Sequence, residues 1–376
     1  MTAPSALLYT EEEEALRAAV RALLTDRCDA AAVLAHTESD RPHDRELWKA
    51  LTDGMGLAGL LVPEALGGQG ATHREAAVVL EELGRAVAPV PYLTSAVIAT
   101  ETLLACAAGT GAGAHDVADA ASGLLAELAS GRVVGALAVG FATAPGAPFT
   151  VVRHEGGAVH GEITGVADAA AADVLLVPAD GGLYAVDTAQ DGVRVTARTS
   201  LDRTRPLAAV AFDGAAARLL TADADGAVRL GLRAGAGLLA SEQLGLAEWC
   251  LTETVRFTKE RHQFNRPVGS FQALKHRLAQ VWLDVVRTRA AARHAADALA
   301  TGSDEPDLAA ALAQAHAAPV AVRAAEEALQ LHGGIGMTWE HPVHLYLKRA
   351  KADSIALGTA GRHKEALARL LALPMP

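Results

Sequence analysis

An α+β protein, mostly α, with its strands confined to the middle of the chain, is the fold class this sequence predicts. Three observations carry it. Apolar residues recur at helical spacing near both ends, short alternating runs broken by Gly, Asp and Pro fill the centre, and an apolar fraction of 51% comes with only 4% aromatics. An interior built mostly of Ala, Leu and Val suits close-packed helices, since Ala is the best helix former and small side chains let backbones approach. At 376 residues the chain exceeds one ordinary compact domain, so two or three are expected.

Taken in order, 11–123 reads as helices punctuated by turns. Thr10 stands as N-cap to the run Glu11 to Glu14, whose charge favours the positive end of a helix dipole. Ala15, Val20, Leu23 and Leu24 give one apolar face, and Ala76, Val79, Leu80 and Leu83 give another. Gly67, Gly68 and Gly70 mark a loop between them. The period then changes. Runs at 133–141, 149–153, 174–177, 183–186, 193–197 and 208–212 have the length and spacing of an all-β unit. From about Thr221 the helical period returns, most clearly in Leu274, Leu278, Val281, Trp282 and Val285, and 302–306 reads as a turn between two helices. The expected domains are therefore 1–128 (helical), 129–222 (β) and 223–376 (helical).

A formal charge of -11 argues against a nucleic-acid partner, because binding a phosphate backbone relies on clustered Lys and Arg. Cys28, Cys106 and Cys250 are few, scattered and odd in number, with no pair at metal-ligand spacing, a reduced usage that points to the cytoplasm. The chain becomes acidic at Glu11 without a basic start and apolar stretch, so no secretory signal is expected. No charge-free apolar run suffices for insertion in a bilayer.

Two motifs point to a ligand. Arg261 and Phe264 lie at i and i+3 near the end of a predicted helix, so a guanidinium and a ring can project toward one group; the simpler reading is an exposed basic turn, with Lys259, His262 and Arg266 nearby. Gln330-Leu331-His332-Gly333-Gly334 ends another helix, where paired glycines serve equally as a stop or as a surface that admits close backbone approach.

The order and separation of these and other segments are more specific than any one of them. Leu61-Val62-Pro63-Glu64 with Gly67-Gly68-Gln69-Gly70 comes first, then Glu81-Glu82-Leu83-Gly84-Arg85. Arg261-His262-Gln263-Phe264 runs on to Gly269-Ser270-Phe271-Gln272. After the paired glycines come Trp339-Glu340-His341-Pro342, Lys348-Arg349-Ala350-Lys351 and Leu357-Gly358-Thr359. The chain resembles the acyl-CoA dehydrogenase family over nearly its whole length, thinning in the middle. That resemblance implies an N-terminal α-helical domain, a small middle β-domain and a C-terminal four-helix bundle. It also implies FAD as cofactor and an acyl-CoA thioester as substrate. Arg261 and Phe264 would meet the pyrophosphate and adenine side of FAD across a subunit interface, with Gln272, Gln330, Gly333, Gly334 and Thr359 as further contacts. Arg suits phosphate because its planar fork donates two bonds while staying charged.

The sequence also departs from the family. Asn265 replaces a common glycine, and Gly361 stands where a Gln is frequent. The segments that cradle the flavin ring, a Thr-Glu-Pro with a downstream Gly-Ser-Asp, are missing from 136–146 and 161–166, where Thr143 and Thr164 substitute only in part. The catalytic carboxylate is absent as well. The family carries it just before the Gly-Thr of the last connection or on the helix leading to the Arg-x-x-Phe motif, and those positions hold Leu357 and Gly235. Positioned general bases contribute on the order of 10²- to 10⁴-fold, so the loss matters. Asp353 and Glu242 lie one and two turns away, offset by about 5 and 11 Å, and read as surface or interface charges.

The expectation is a flavoprotein subunit without its own base, completing the FAD site of a catalytic subunit in a heterotetramer (α2β2 in subunit composition). Electron-transfer flavoprotein is the family's default electron acceptor. Two alternatives stand beside it: a homo-oligomeric FAD acyl-CoA dehydrogenase with Asp353 or Glu242 as a relocated base, and a binding or assembly protein that holds acyl-CoA without redox chemistry.

Overall fold

Helix α1 (Glu11–Arg27) begins where the Thr10 hydroxyl accepts the Glu13 amide proton while the Glu13 carboxylate accepts that of Thr10. This reciprocal box satisfies two donors that a helix start leaves open. Thr10→Ala should cost roughly 1 kcal/mol, read from the urea midpoint; an unmoved midpoint would show the cap contributes nothing.

The computed structural model describes residues 7–108, 114–302 and 305–373. Helices α2 (Ala30–Thr37), α3 (Arg45–Thr52), α4 (His73–Ala86), α5 (Thr100–Ala107) and α6 (Ala114–Ala129) precede the main strands. Helices α7 (Ala224–Glu260), α8 (Gln272–Thr301), α9 (Pro306–His332), α10 (Val343–Asp353) and α11 (Ala360–Leu370) follow them. Between lie β1 (Gly135–Leu137), β2 (Arg153–Glu155), β3 (Ala158–Ala167), β4 (Val174–Ala179), β5 (Gly182–Asp187), β6 (Val193–Arg198), β7 (Leu207–Ala216) and β8 (Arg218–Thr221). This is the helix, small sheet region, helix order expected. No helix among the described residues is long and apolar enough to cross a membrane.

Two compact units share the chain. One gathers the described residues up to Glu38, then Ala77–Ala88 and those from Gly237 onward; the other holds Ser39–Ala76 and Pro89–Ala236. In the first, α4 and α7 touch backbone to backbone. A Cβ on Gly84 would lie 2.1 Å from the Glu242 carbonyl oxygen, and one on Gly245 would lie 1.8 Å from that of Glu81. Only glycine permits such an approach. Glu81 and Glu82 are buried beside it, and Arg17 and Arg21 of α1 neutralise them through ion pairs of 3.2 Å to Glu81 and 2.6 Å to Glu82. Helix α9 packs on α8, α10 and α11 through buried alanines including Ala310, Ala313, Ala317, Ala321, Ala324 and Ala328, the small-residue interior that composition suggested. On α1, Val20 and Leu24 are buried as expected but Ala15 is exposed. On α8, Val281 and Val285 are buried while Trp282, expected on the same face, is 55% exposed. Gly302, with φ 58, caps α8 and Pro306 opens α9; residues 303 and 304 of that turn lie outside the described residues.

In the second unit, two four-stranded sheets run in the orders β1-β4-β5-β8 and β2-β3-β7-β6. Among the described strands β1 and β4 pair parallel and the others antiparallel. Val159, Ile163 and Val210 from one sheet and Leu175, Val177 and Val186 from the other share one apolar cluster. Strands β3 and β8 were not expected. β3 carries Gly161 (φ 139) and Gly165 (φ 72) and register shifts against β7, so its alternation is broken. The 133–141 run pairs only over β1, and the 149–153 run reaches the sheet only at its end, with Val152 bridging Ala179 before β2 begins. Residues Tyr92–Ala99 form a buried π-helix, and the Trp48 indole donates to the Gly131 carbonyl at 2.9 Å.

Candidate cofactor-binding face

Helix α7 ends at Glu260 and the chain reverses in a two-residue hairpin between His262–Gln263 and Arg266–Pro267, labelled β9 and β10. Phe264 (φ 52) and Asn265 (φ 58) are both left-handed, the pattern of a type I′ turn. Asn tolerates that region through its short polar side chain, which explains how it serves where a glycine is common. Phe does not, and a residue held there typically costs 1–3 kcal/mol. The strain presents the Phe264 ring to solvent, 86% exposed, edge-on to Phe271 with centroids 6.1 Å apart. Arg266 lies over the Phe271 ring at 3.9 Å. The Arg261 carbonyl is tied to the Val268 amide at 2.8 Å, while its exposed guanidinium has no ion pair among the described residues.

Gln272 opens α8 and Gln330 lies on the last turn of α9, both exposed. The glycines that follow differ in what they need. Gly333 has φ 62 and ψ -138, a conformation nearly closed to other residues. A Cβ on Gly336 would meet the Leu329 carbonyl at 2.6 Å, so this chain's own fold excludes it. Gly334 has neither constraint: its φ is ordinary and a Cβ would meet nothing within 4 Å. The Gly334 backbone therefore faces open space. Ile335, Met337 and Trp339 are exposed beside it. Thr359 is N-cap of α11, its hydroxyl oxygen accepting the Arg362 amide at 3.4 Å, which leaves its O–H as a donor.

The base positions are apolar in structure as in sequence. Gly235 is buried within α7. Leu357 is wholly buried with φ 53, and its carbonyl accepts the His363 Nε2 proton at 3.0 Å. Burial pushes the His363 imidazole below its usual value, against hydrogen bonds to the Leu357 and Gly358 carbonyls that favour its charged form. The expectation that Glu242 and Asp353 are surface or interface charges is corrected: both are 1% exposed. Glu242 is ion-paired at 2.5 Å with Arg349, itself 2% exposed. The Asp353 carbonyl accepts the Gln243 side-chain amide at 3.3 Å. Arg349 is the residue sequence reasoning missed, because a buried pair between positions so far apart leaves no local pattern. In the β-containing unit, Gly140 brings the two hydroxyl residues of the incomplete ring cradle near one another, since its Cβ would lie 3.7 Å from Thr143 Oγ1 and 3.4 Å from the Thr164 carbonyl oxygen.

An exposed guanidinium, an exposed ring on a strained turn and an unconstrained glycine fit the nucleotide half of a dinucleotide cofactor. Helices before and after a pair of small sheets give the order of elements in which comparisons with known proteins place the chain. Models of the acyl-CoA dehydrogenase N-terminal and C-terminal domains match residues 10–113 and 226–372. Acyl-CoA dehydrogenase IpdE2 of Mycolicibacterium smegmatis is 37% identical over 349 residues, covering 93% of this chain and 95% of that protein. A chain of the ChsE4-ChsE5 complex from Mycobacterium tuberculosis matches with TM-score 0.85 and 28% identity, over 99% of this chain and 100% of its own. A chain of a Tcur3481-Tcur3483 steroid ACAD variant matches with TM-score 0.81 and 29% identity, over 96% and 98%. The chain belongs to the acyl-CoA dehydrogenase family.

Proposed function

We propose that this chain is the base-lacking subunit of a heteromeric acyl-CoA dehydrogenase, completing through its C-terminal face an FAD site whose ring and carboxylate belong to a partner chain. The observation that carries the reading is the fate of the carboxylates. Leu357 and Gly235 supply none, and Glu242, the nearest acid to Gly235, is held by Arg349 in a buried pair. A general base must reach the proton it removes, and a carboxylate oxygen engaged 2.5 Å from a buried guanidinium is poorly placed to do so. The exposed apolar side chains Phe264, Ile335, Met337 and Trp339 support a face that an assembly covers. Similarity to a chain of the ChsE4-ChsE5 complex and to one of the Tcur3481-Tcur3483 steroid ACAD supports a second subunit, and a steroid-derived acyl-CoA thioester is the substrate class we assign to the assembly.

Within it, Arg261 would donate to the cofactor's phosphates, the Phe264 ring would pack on its nucleotide end, and Gly333 and Gly334 would admit it against bare backbone. Gln272, Gln330 and Thr359 would supply side-chain hydrogen bonds. FAD, when bound, supplies the hydride acceptor for α,β-dehydrogenation. We place the assembly in the cytoplasm, with electron-transfer flavoprotein as acceptor. Purified alone, the chain should be nearly colourless and unable to oxidise an acyl-CoA; mixed with the product of a neighbouring gene that encodes the missing Glu and ring cradle, it should give a yellow, active complex. Stoichiometric FAD and turnover in the isolated chain would overturn the reading.

A further inference from the structure

Below the paired glycines lies a cluster that the cofactor face does not use. Glu253 of α7, His332 at the end of α9 and His341 just before α10 each place one ligand atom within 4.8 Å of the others. His332 is 3% exposed. Its Nδ1–H donates to the Ala328 carbonyl at 2.6 Å, which fixes the tautomer and leaves the Nε2 lone pair, buried and without a hydrogen-bond partner, as the atom available to the cluster. That is the arrangement of a metal-ligating histidine, whose second nitrogen donates to a carbonyl or carboxylate. Phe257 covers the His332 ring at 4.4 Å between centroids. His341 Nε2 stands 3.8 Å from Glu253 Oε1. Burial pushes both imidazoles below their usual values, in the direction of the neutral form that binds a metal.

We propose that Glu253, His332 and His341 form a site for one divalent transition-metal ion, of which Zn²⁺ is the best match. Two imidazoles and a carboxylate suit a borderline cation, with a fourth tetrahedral position left for water. Two existing contacts compete with it. The Val343 amide donates to His341 Nδ1 at 3.3 Å, a bond that is lost when His341 takes the tautomer with Nε2 free. Arg256 holds the Glu253 carboxylate at 3.0 and 2.5 Å and repels a cation. An ion here would tie α7, the end of α9 and the segment before α10 into one brace beneath the turn that carries Gly333 and Gly334.

The competition with Arg256 makes the site testable. The full chain, stripped with chelator, would be titrated with Co²⁺ by visible absorption and with Zn²⁺ by calorimetry. One equivalent should bind, with the intense d–d bands of tetrahedral Co²⁺. Glu253→Gln and His332→Gln should each weaken binding by at least about tenfold, since even residues supporting a ligand contribute roughly 10- to 100-fold. Arg256→Ala should tighten it several-fold, a gain that misfolding cannot imitate, and circular dichroism would verify the glutamine variants. Absence of saturable binding, or one-equivalent binding that Glu253→Gln and Arg256→Ala both leave unchanged, would overturn the proposal.

Discussion

Arg261→Ala in this chain should weaken FAD binding by the assembled complex roughly 10- to 100-fold, the loss of a charge-assisted contact worth about 1.5–3 kcal/mol. The guanidinium is exposed and unpaired within its own chain among the described residues, so its removal should leave the unfolding midpoint of the isolated subunit unmoved. That separation is the value of the experiment: a cofactor defect measured on the complex, without a stability defect in the subunit that carries the change. Arg261→Lys should recover only part of the loss, because an ammonium is a point charge and lacks the planar fork. Flavin fluorescence during dilution of the complex would give the affinity. Unchanged retention of FAD would remove Arg261 from the cofactor face.

The second large effect is on stability. Arg349→Met should cost about 3–5 kcal/mol, because it leaves the Glu242 carboxylate buried without its counter-charge. The Glu242→Leu and Arg349→Met double change should recover much of that loss, since an apolar pair of similar volume often matches a buried ion pair. Urea unfolding of the four proteins in the cycle gives both numbers. A single-variant cost below about 1 kcal/mol, the range of exposed pairs, would mean that water reaches Glu242, and the reading of this acid as structurally committed would fall with it.

What the sequence made legible follows from where its signals live. The helices near both ends showed because burial on one face imposes a 3.6-residue period, as Ala76, Val79, Leu80 and Leu83 do in α4. Strand β3 was hidden by Gly161 and Gly165, which break alternation while the hydrogen-bond ladder continues across bulges. The residues proposed for the cofactor face came from the order and separation of motifs along the chain, with their roles implied by the resemblance alone. Phe264 and Asn265 as a left-handed pair were not legible, since only the backbone shows that Asn stands in for glycine through its conformation. Least legible were the acids. Glu242 and Asp353 look like any charged helix positions until the fold closes over them, and the Arg349 partner lies 107 positions away.

The turn at Leu357 has a further consequence. The Leu357 side chain is wholly buried, and its left-handed backbone is latched by His363. An acid substituted there would demand either a dehydrated anion or a displaced turn. On the proposed reading, packing around Leu357 as well as the missing carboxylate would hold this subunit to its role.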